Sequence, residues 1–489
     1  MTFNMEQALQ SFDQPSVLGT PQALALLAES QVDVGDVQGC TRRLGQFLGR
    51  YMPLFPRREH RDNARVVVQG LLGGLARKTA EPIARAHGVQ RKPVQAFVGC
   101  GAWDDEAVMA EVRRHVALEM GEPHGVLVLD PSAFPKKGTE SCGVKRQWCG
   151  RLGKVENCQL GVFLAYATDR GQAPLDRRLY LPAEWAADAD RRAKCHVPDS
   201  VAFRTSWQIG LEMVRANGGA IAHGWVVADD EFGRVNAFRQ GLRDAGERYV
   251  VDVPSDTQVR DLRAAPPAKA AGVGGSAPKA PFGRVDAWAL AQPPSAWRTV
   301  AVRDGAKGPV VVEAIETDVQ TRGPGGRVGD ATERLVVVRR QEGGQVHTSY
   351  HLSNAVAEVP LGEVVRARGR RQQIEQMFAD GKGEAGLGDY EVRSWVGWHH
   401  HVTLSLLALW FLCLERRTIG GKNPGRDGAA GASDRDAAAA AATPDGPRHR
   451  GRDQLGAATH RGVADLSLAQ NHRRLPAKPA TGGLVNRLQ

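Results

Sequence analysis

The chain lacks the marks of a secreted or membrane-bound protein. Its seven cysteines (Cys40, Cys100, Cys142, Cys149, Cys158, Cys195, Cys413) are scattered and contain no C-x-x-C pair. That pattern excludes a disulfide framework and a zinc ribbon, and it predicts reduced thiols in a cytoplasmic protein. The opening MTFNMEQALQSFDQ has no basic segment followed by an apolar core, so nothing in it points to export. The most apolar stretch, Val402 to Leu414, is too short to cross a bilayer comfortably and reads as a buried helix, with no membrane partner expected. Aromatics are scarce, and beyond Arg417 there is no Phe, Trp or Tyr at all. The segment GRDGAAGASDRDAAAAAATPDGPRHRGRDQ cannot bury enough apolar area to offset its ordering entropy, which predicts disorder over about 424–489.

What is present is a long chain with a few costly acids. At 489 residues it exceeds the usual size of one domain, and two or three are expected. A formal charge of +10 favours a polyanionic partner. Asp130 ends the apolar run GVLVLD and Asp229 ends GWVVAD. An acid after four or five strand-forming residues lies at the end of a buried strand, where open α/β sheets commonly place their sites. Glu375 sits in RQQIEQMF, and Arg371, Glu375 and Lys382 form R-x3-E-x6-K. On a helix Arg371 and Glu375 are one turn apart, and Lys382 lies two turns further on nearly the same face. Hard oxygen ligands flanked by phosphate-binding cations suit a divalent metal acting on phosphodiesters. Asp229, Asp230 and Glu231 are consecutive, and strand geometry alone does not choose among them. Asp229 is preferred because it ends the strand and opens D-x-x-F-G with Phe232 and Gly233, with Asp230 as the fallback. Capping the following helix is the commoner role for such an acid.

Composition divides the rest. Residues 1–120 read as helical, and TAEPIARAHGVQRKPVQAFVG predicts a helix-turn-helix over about 79–99, with Thr79 as a cap and Gly88 at the turn. Two packed helices with no DNA role remain the alternative. Upstream, RYMPLFPRREHRDNARVVVQGLLGGLARK carries a basic face. From Gly125 to about Val253 strands alternate with helices: GVLVLD, QLGVFLAYAT and RRLYLP read as three strands, with a loop between the first two. Lys136, Lys137, Lys145 and Arg146 in that loop are candidates for holding DNA phosphates, or form an ordinary solvated loop. Residues 254–362 read as a β-rich insertion opened by the flexible RAAPPAKAAGVGGSAPKAPFG. Trp288 and Trp297 within it are candidates for base stacking or for packing. The run His399, His400, His401 does not make a metal site, because consecutive helical residues diverge.

The strings FPKKG, KVENCQLGVFLAYAT, D-x-x-F-G, R-x3-E-x6-K and GLGDYEVRSWVGWHHHVTLSLLAL together resemble a bacterial insertion-sequence transposase of the DDE superfamily, the group with an inserted β-domain and a Y-x2-R-x3-E-x6-K signature. The resemblance covers roughly residues 20–420. It implies an α/β fold, a ribonuclease H-like mixed sheet with helices, whose core would span 121–253 and 363–420, beside a helical N-terminal DNA-binding domain. It also implies that Asp130, Asp229 and Glu375 bind two Mg²⁺ ions, for which Mn²⁺ can substitute, and that Arg371 and Lys382 are the signature cations. The implied partners are double-stranded DNA, at the element's terminal inverted repeats and at the target, and a second copy of the chain on that DNA, in a bacterial, nucleoid-associated setting. A DNA-binding relic without catalysis and a stand-alone metal-dependent nuclease are the other readings. Two departures stand out: Arg368 occupies the signature tyrosine position, and the tail is not the basic helical sequence typical of the group.

Overall fold

A computed structural model describes residues 34–268, 279–303, 309–323, 326–329 and 331–420; the predicted disorder at 424–489 and part of the predicted flexible stretch lie outside them. Five helices come first: α1 (Val34–Tyr51), α2 (Arg58–Leu72), α3 (Ala80–Ala86), α4 (Arg91–Cys100) and α5 (Asp105–Met120). Strands β1 (Val126–Pro135), β2 (Lys145–Cys149), β3 (Lys154–Thr168) and β4 (Gly171–Leu179) follow. Helix α6 (Ser206–Asn217) then leads to β5 (Trp225–Ala228), α7 (Asp230–Gly233), α8 (Asn236–Asp244) and β6 (Tyr249–Val253). The next strands are β7 (Gln258–Asp261), β8 (Gly283–Arg284), β9 (Arg298–Arg303), β10 (Val310–Arg322), β11 (Glu333–Glu342) and β12 (Gln345–Ser353). The chain returns through α9 (Leu361–Gly369), α10 (Arg371–Gly383) and α11 (Trp395–Gly420).

The strands form one mixed sheet. β4, β3 and β1 are antiparallel neighbours, whereas β1, β5 and β6 run parallel. β12 pairs antiparallel with β6, and β11, β10 and β7 continue outward, so the described strands between residues 254 and 362 extend the same sheet. The parallel strands read as unbroken apolar runs because both faces are covered. Leu129 faces α6, lying 3.2 Å from where a Cβ on Gly210 would stand. Its neighbour Asp130 therefore points to the opposite face.

The expected strand boundaries shift in three places. β1 does not stop at Asp130: it leaves β5 there but stays paired with β3 as far as Pro135. Part of the expected loop is the hairpin β2–β3, an edge strand too polar to show an apolar alternation. β4 begins at Gly171, earlier than RRLYLP, because Gly171 with φ +124° makes the tight turn from β3.

The expected buried helix is α11, with Trp398, Val402, Leu404, Leu406, Leu407, Ala408 and Trp410 fully buried. No helix among the described residues is long and apolar enough to cross a membrane. Buried Arg177 on β4 joins three regions. It reaches Glu106 at 3.0 Å and Asp105 on α5, Thr403 at 2.9 Å on α11, and Asp176 at 3.6 Å.

Candidate active site

The sheet register brings the first two acids together. Leu129 pairs with Ala228 on parallel strands, so Asp130 and Asp229, one residue on, stand side by side. Adjacent strands are about 4.8 Å apart. Ala228 in turn pairs with Val251, which puts Asp252 of β6 next in the same row. The row lies where β1 and β5 part company, a crevice at the carboxyl ends of parallel strands.

Helix α10 covers the row. Arg371 Nε is 3.1 Å from Asp252 Oδ2, and its Nη2 is 3.0 Å from Glu375 Oε1, one turn along. Lys382, at the other end of α10, donates to Ser132 Oγ at 2.8 Å and lies 5.5 Å and 5.6 Å from the ring centroids of Phe134 and Phe378. Ser132 is two residues from Asp130 and shares its face, so Lys382, like Arg371 at the other end of α10, meets the acid side of the sheet.

Burial raises the Asp130 carboxyl well above its usual range, against the pull of Arg371 and with the push of Glu375 and Glu231. Burial also raises Asp229, and the neighbouring charges of Asp130 and Glu231 add to it. Two carboxylates facing each other in a dry crevice resist carrying two charges unless a cation joins them. Asp252 differs. Burial would raise it, but Arg368, His351 and Arg371 outweigh that and hold it well below the carboxylate range.

Each residue of D-x-x-F-G has a job in this geometry. Asp229 Oδ1 accepts from the backbone N–H groups of Glu231 and Phe232, so the helix-capping role is real. Phe232 is fully buried against Gly210. Gly233 lets α7 pass over β6, since a Cβ there would lie 1.9 Å from the Asp252 carbonyl oxygen. Asp230, the fallback acid, faces outward and pairs with Arg234 at 2.5 Å.

The loop cations are divided. Lys137 and Arg146 are exposed. Lys145 pairs with Glu184 at 2.9 Å. Lys136 is committed to Tyr390, with Nζ 3.1 Å from its carbonyl oxygen and 3.2 Å from its ring centroid, and burial lowers the amine to about 8. Trp288 donates to Asp261 at 2.8 Å, and Trp297 is buried beneath Arg339. The three histidines diverge as expected: their rings meet the backbone carbonyls of Trp395, Trp103 and Gly386. Helices α3 and α4 meet at Gly88, whose φ is +63°, with Ile83, Ala84, Val94, Phe97 and Val98 buried. Thr79 holds the N-cap position of α3 without a side-chain capping bond.

Sequence reasoning missed Asp252. Its run YVVDV has the same form as the other two, apolar residues followed by an acid, but it is short and its acid sits inside the strand.

Among the described residues no three or more His, Cys, Asp and Glu side chains are gathered to hold a metal ion. Glu375 is turned toward Arg371 and its side chain is 54% exposed. Two adjacent carboxylates nevertheless fit Mg²⁺ or Mn²⁺, since Mg²⁺ is commonly held by one or two carboxylates together with substrate phosphates.

The model of the DDE superfamily endonuclease family matches residues 50–309, and the chain belongs to that family. The match spans Asp130, Asp229 and Asp252 and ends before Glu375. The chain is also similar to the "Probable transposase for insertion sequence element IS701" of Microchaete diplosiphon, 26% identical over 218 residues, which is 43% of this chain and 54% of that one. It thus spans about half the length of the curated relative it matches. Among solved structures, one match is the piggyBac transposase in its synaptic complex with hairpin DNA, at 10% identity and a TM-score of 0.36, covering 81% of this chain and 76% of that chain.

Proposed function

We propose that the protein is an insertion-sequence DNA transposase, cutting DNA at the element's terminal inverted repeats and joining the freed ends to target DNA. The observation that carries this reading is the juxtaposition of Asp130 and Asp229 on adjacent parallel strands, beneath a helix presenting Arg371, Glu375 and Lys382. The strand order β4–β3–β1–β5–β6, antiparallel then parallel, supports a ribonuclease H-like core at 121–253 and 363–420. Residues 254–362 form its β-rich insertion. The described helices within residues 1–120 form a DNA-binding domain, with α3 and α4 as a helix-turn-helix.

Asp130 and Asp229, together with Glu375, would hold divalent cations, Mg²⁺ or Mn²⁺. The bound ions would supply an activated oxygen nucleophile and charge neutralisation at the scissile phosphate. Lys382, fixed by Ser132 beside Asp130, positions a phosphate, and Arg371 lends positive charge at the other end of α10. Exposed Lys137 and Arg146 follow the backbone further out, beside Lys136 and Lys145. Two copies of the chain pair the two element ends, in the cytoplasm at the nucleoid.

The test is Mg²⁺-dependent excision of a marker flanked by the DNA that borders the gene, comparing wild type with Glu375→Gln. Excision by wild type alone is expected. End binding without excision by either protein would point to a DNA-binding relic, and cutting without joining to a nuclease.

A further inference from the structure

Arg371 creates a problem for any cation site beside it. A guanidinium cannot lose its charge, and it demands a carboxylate. Arg371 pairs with Asp252 and Glu375, and its charge is also felt at Asp130 and, more weakly, at Asp229. Left to itself, Arg371 would neutralise the acids that a divalent cation needs.

The structure meets that demand at the far end of the acid row. Arg371 Nε bonds Asp252 Oδ2 at 3.1 Å. Asp252 is fixed from two other sides. Buried His351 gives it Nδ1–H at 2.8 Å, because a carboxylate can only accept, and His351 Nε2 lies 2.9 Å from the Ser349 hydroxyl. Arg368, on the last turn of α9, approaches Asp252 Oδ1 at 3.5 Å. Asp252 thus joins β6 and β12 to α9 and α10, its single negative charge facing two guanidinium groups.

We propose that Asp252 is a positioning residue that draws the Arg371 guanidinium to the outer end of the acid row, so that Asp130 and Asp229 stay open to a divalent cation. The inference rests on the metal reading of the proposed function. It also gives Arg368, which replaces the signature tyrosine, a part: it helps to fix the carboxylate that holds Arg371.

The experiment is a Mn²⁺ titration of the full chain, reading free Mn²⁺ by electron paramagnetic resonance. The proteins are wild type, Asp130→Asn, Asp252→Asn, Arg371→Gln and the double variant D252N/R371Q. Wild-type binding should vanish in D130N and weaken roughly tenfold or more in D252N, as for a residue supporting a metal site without touching the metal. Removing Arg371 as well should return the affinity to near the wild-type value. A purely structural Asp252, or one that is itself a ligand, predicts no such rescue. Wild-type affinity in D252N, or a loss that R371Q does not relieve, would overturn the inference and leave the metal reading standing. Wild type that binds no Mn²⁺ overturns both. If D252N does not fold, R371Q alone decides: equal or tighter binding supports the role, and weaker binding overturns it.

Discussion

A Cβ on Gly233 would stand 1.9 Å from the carbonyl oxygen of Asp252. The two residues are on α7 and β6, and their approach sets how closely the segment after Asp229 lies over the strand bearing Asp252. Backbone cannot yield as a flexible side chain can. Gly233→Ala should therefore cost about 1–3 kcal/mol of stability, as overpacking does in a filled core. It should also weaken Mn²⁺ binding by displacing Asp229. Urea unfolding and the same titration check both. A variant with unchanged unfolding would mean that α7 floats free of β6.

Arg177 supports a second prediction. It is 1% exposed and answers Asp105, Glu106 and Asp176, and Asp176 is as deeply buried. Arg177→Met keeps much of the volume but removes the buried cation shared by Asp105, Glu106 and Asp176, leaving Asp176 with Arg178 at 3.4 Å and Asn217 at 3.1 Å. The expected loss is about 1–3 kcal/mol, read from the urea midpoint. Because α5 and α11 both meet Arg177, limited proteolysis should cut first at their junctions with the sheet.

What the sequence could reveal follows from where each residue's partners lie. Asp130 and Asp229 were legible because strands covered on both faces are apolar without interruption, which leaves the terminal acid conspicuous. Arg371, Glu375 and Lys382 were legible because helical spacing puts them on one face. Asp252 was not, since its meaning depends on register with Ala228 through Val251 and on His351, about a hundred residues away. Nor was the continuity of the insertion with the core sheet, which rests on the pairing of Val250 with Ser353. The capture of Lys136 by Tyr390 is hidden for the same reason: a cation's partner across the fold leaves no local trace.

The histidine run gives a pH prediction. Burial lowers His399 to about 3 and His400 and His401 to about 4. In the unfolded chain each titrates near about 6.5, so between those values the unfolded state binds more protons. Stability is then fully present above about pH 6.5 and is lost as pH falls toward 4. The raised carboxyls of Asp130 and Asp229 titrate in the same window with the opposite sign. Urea unfolding at steps from pH 7 to pH 5, done in an Asp130→Asn/Asp229→Asn background for that reason, should show falling stability. His399→Leu should flatten the slope. A profile level across that window would show the rings already charged in the folded protein.

The choice between Asp229 and Asp230 rests on direction. Asp229 stands in register with Asp130 and is raised by burial and then by Asp130's charge, whereas Asp230 faces solvent in a one-turn pair with Arg234. An exposed i, i+4 pair is worth a few tenths of a kcal/mol, about 0.3–0.5. Asp230→Asn should therefore leave both Mn²⁺ binding and strand cleavage close to wild type. Asp229→Asn removes a candidate ligand but keeps an oxygen that can cap α7, so the fold should persist while Mn²⁺ binding and cleavage fall to background. Circular dichroism, metal titration and cleavage of an end-bearing duplex separate the two variants. If D230N lost cleavage and D229N kept it, the second acid would have to be reassigned, and α7 would have to turn outward on binding DNA to bring Asp230 to Asp130.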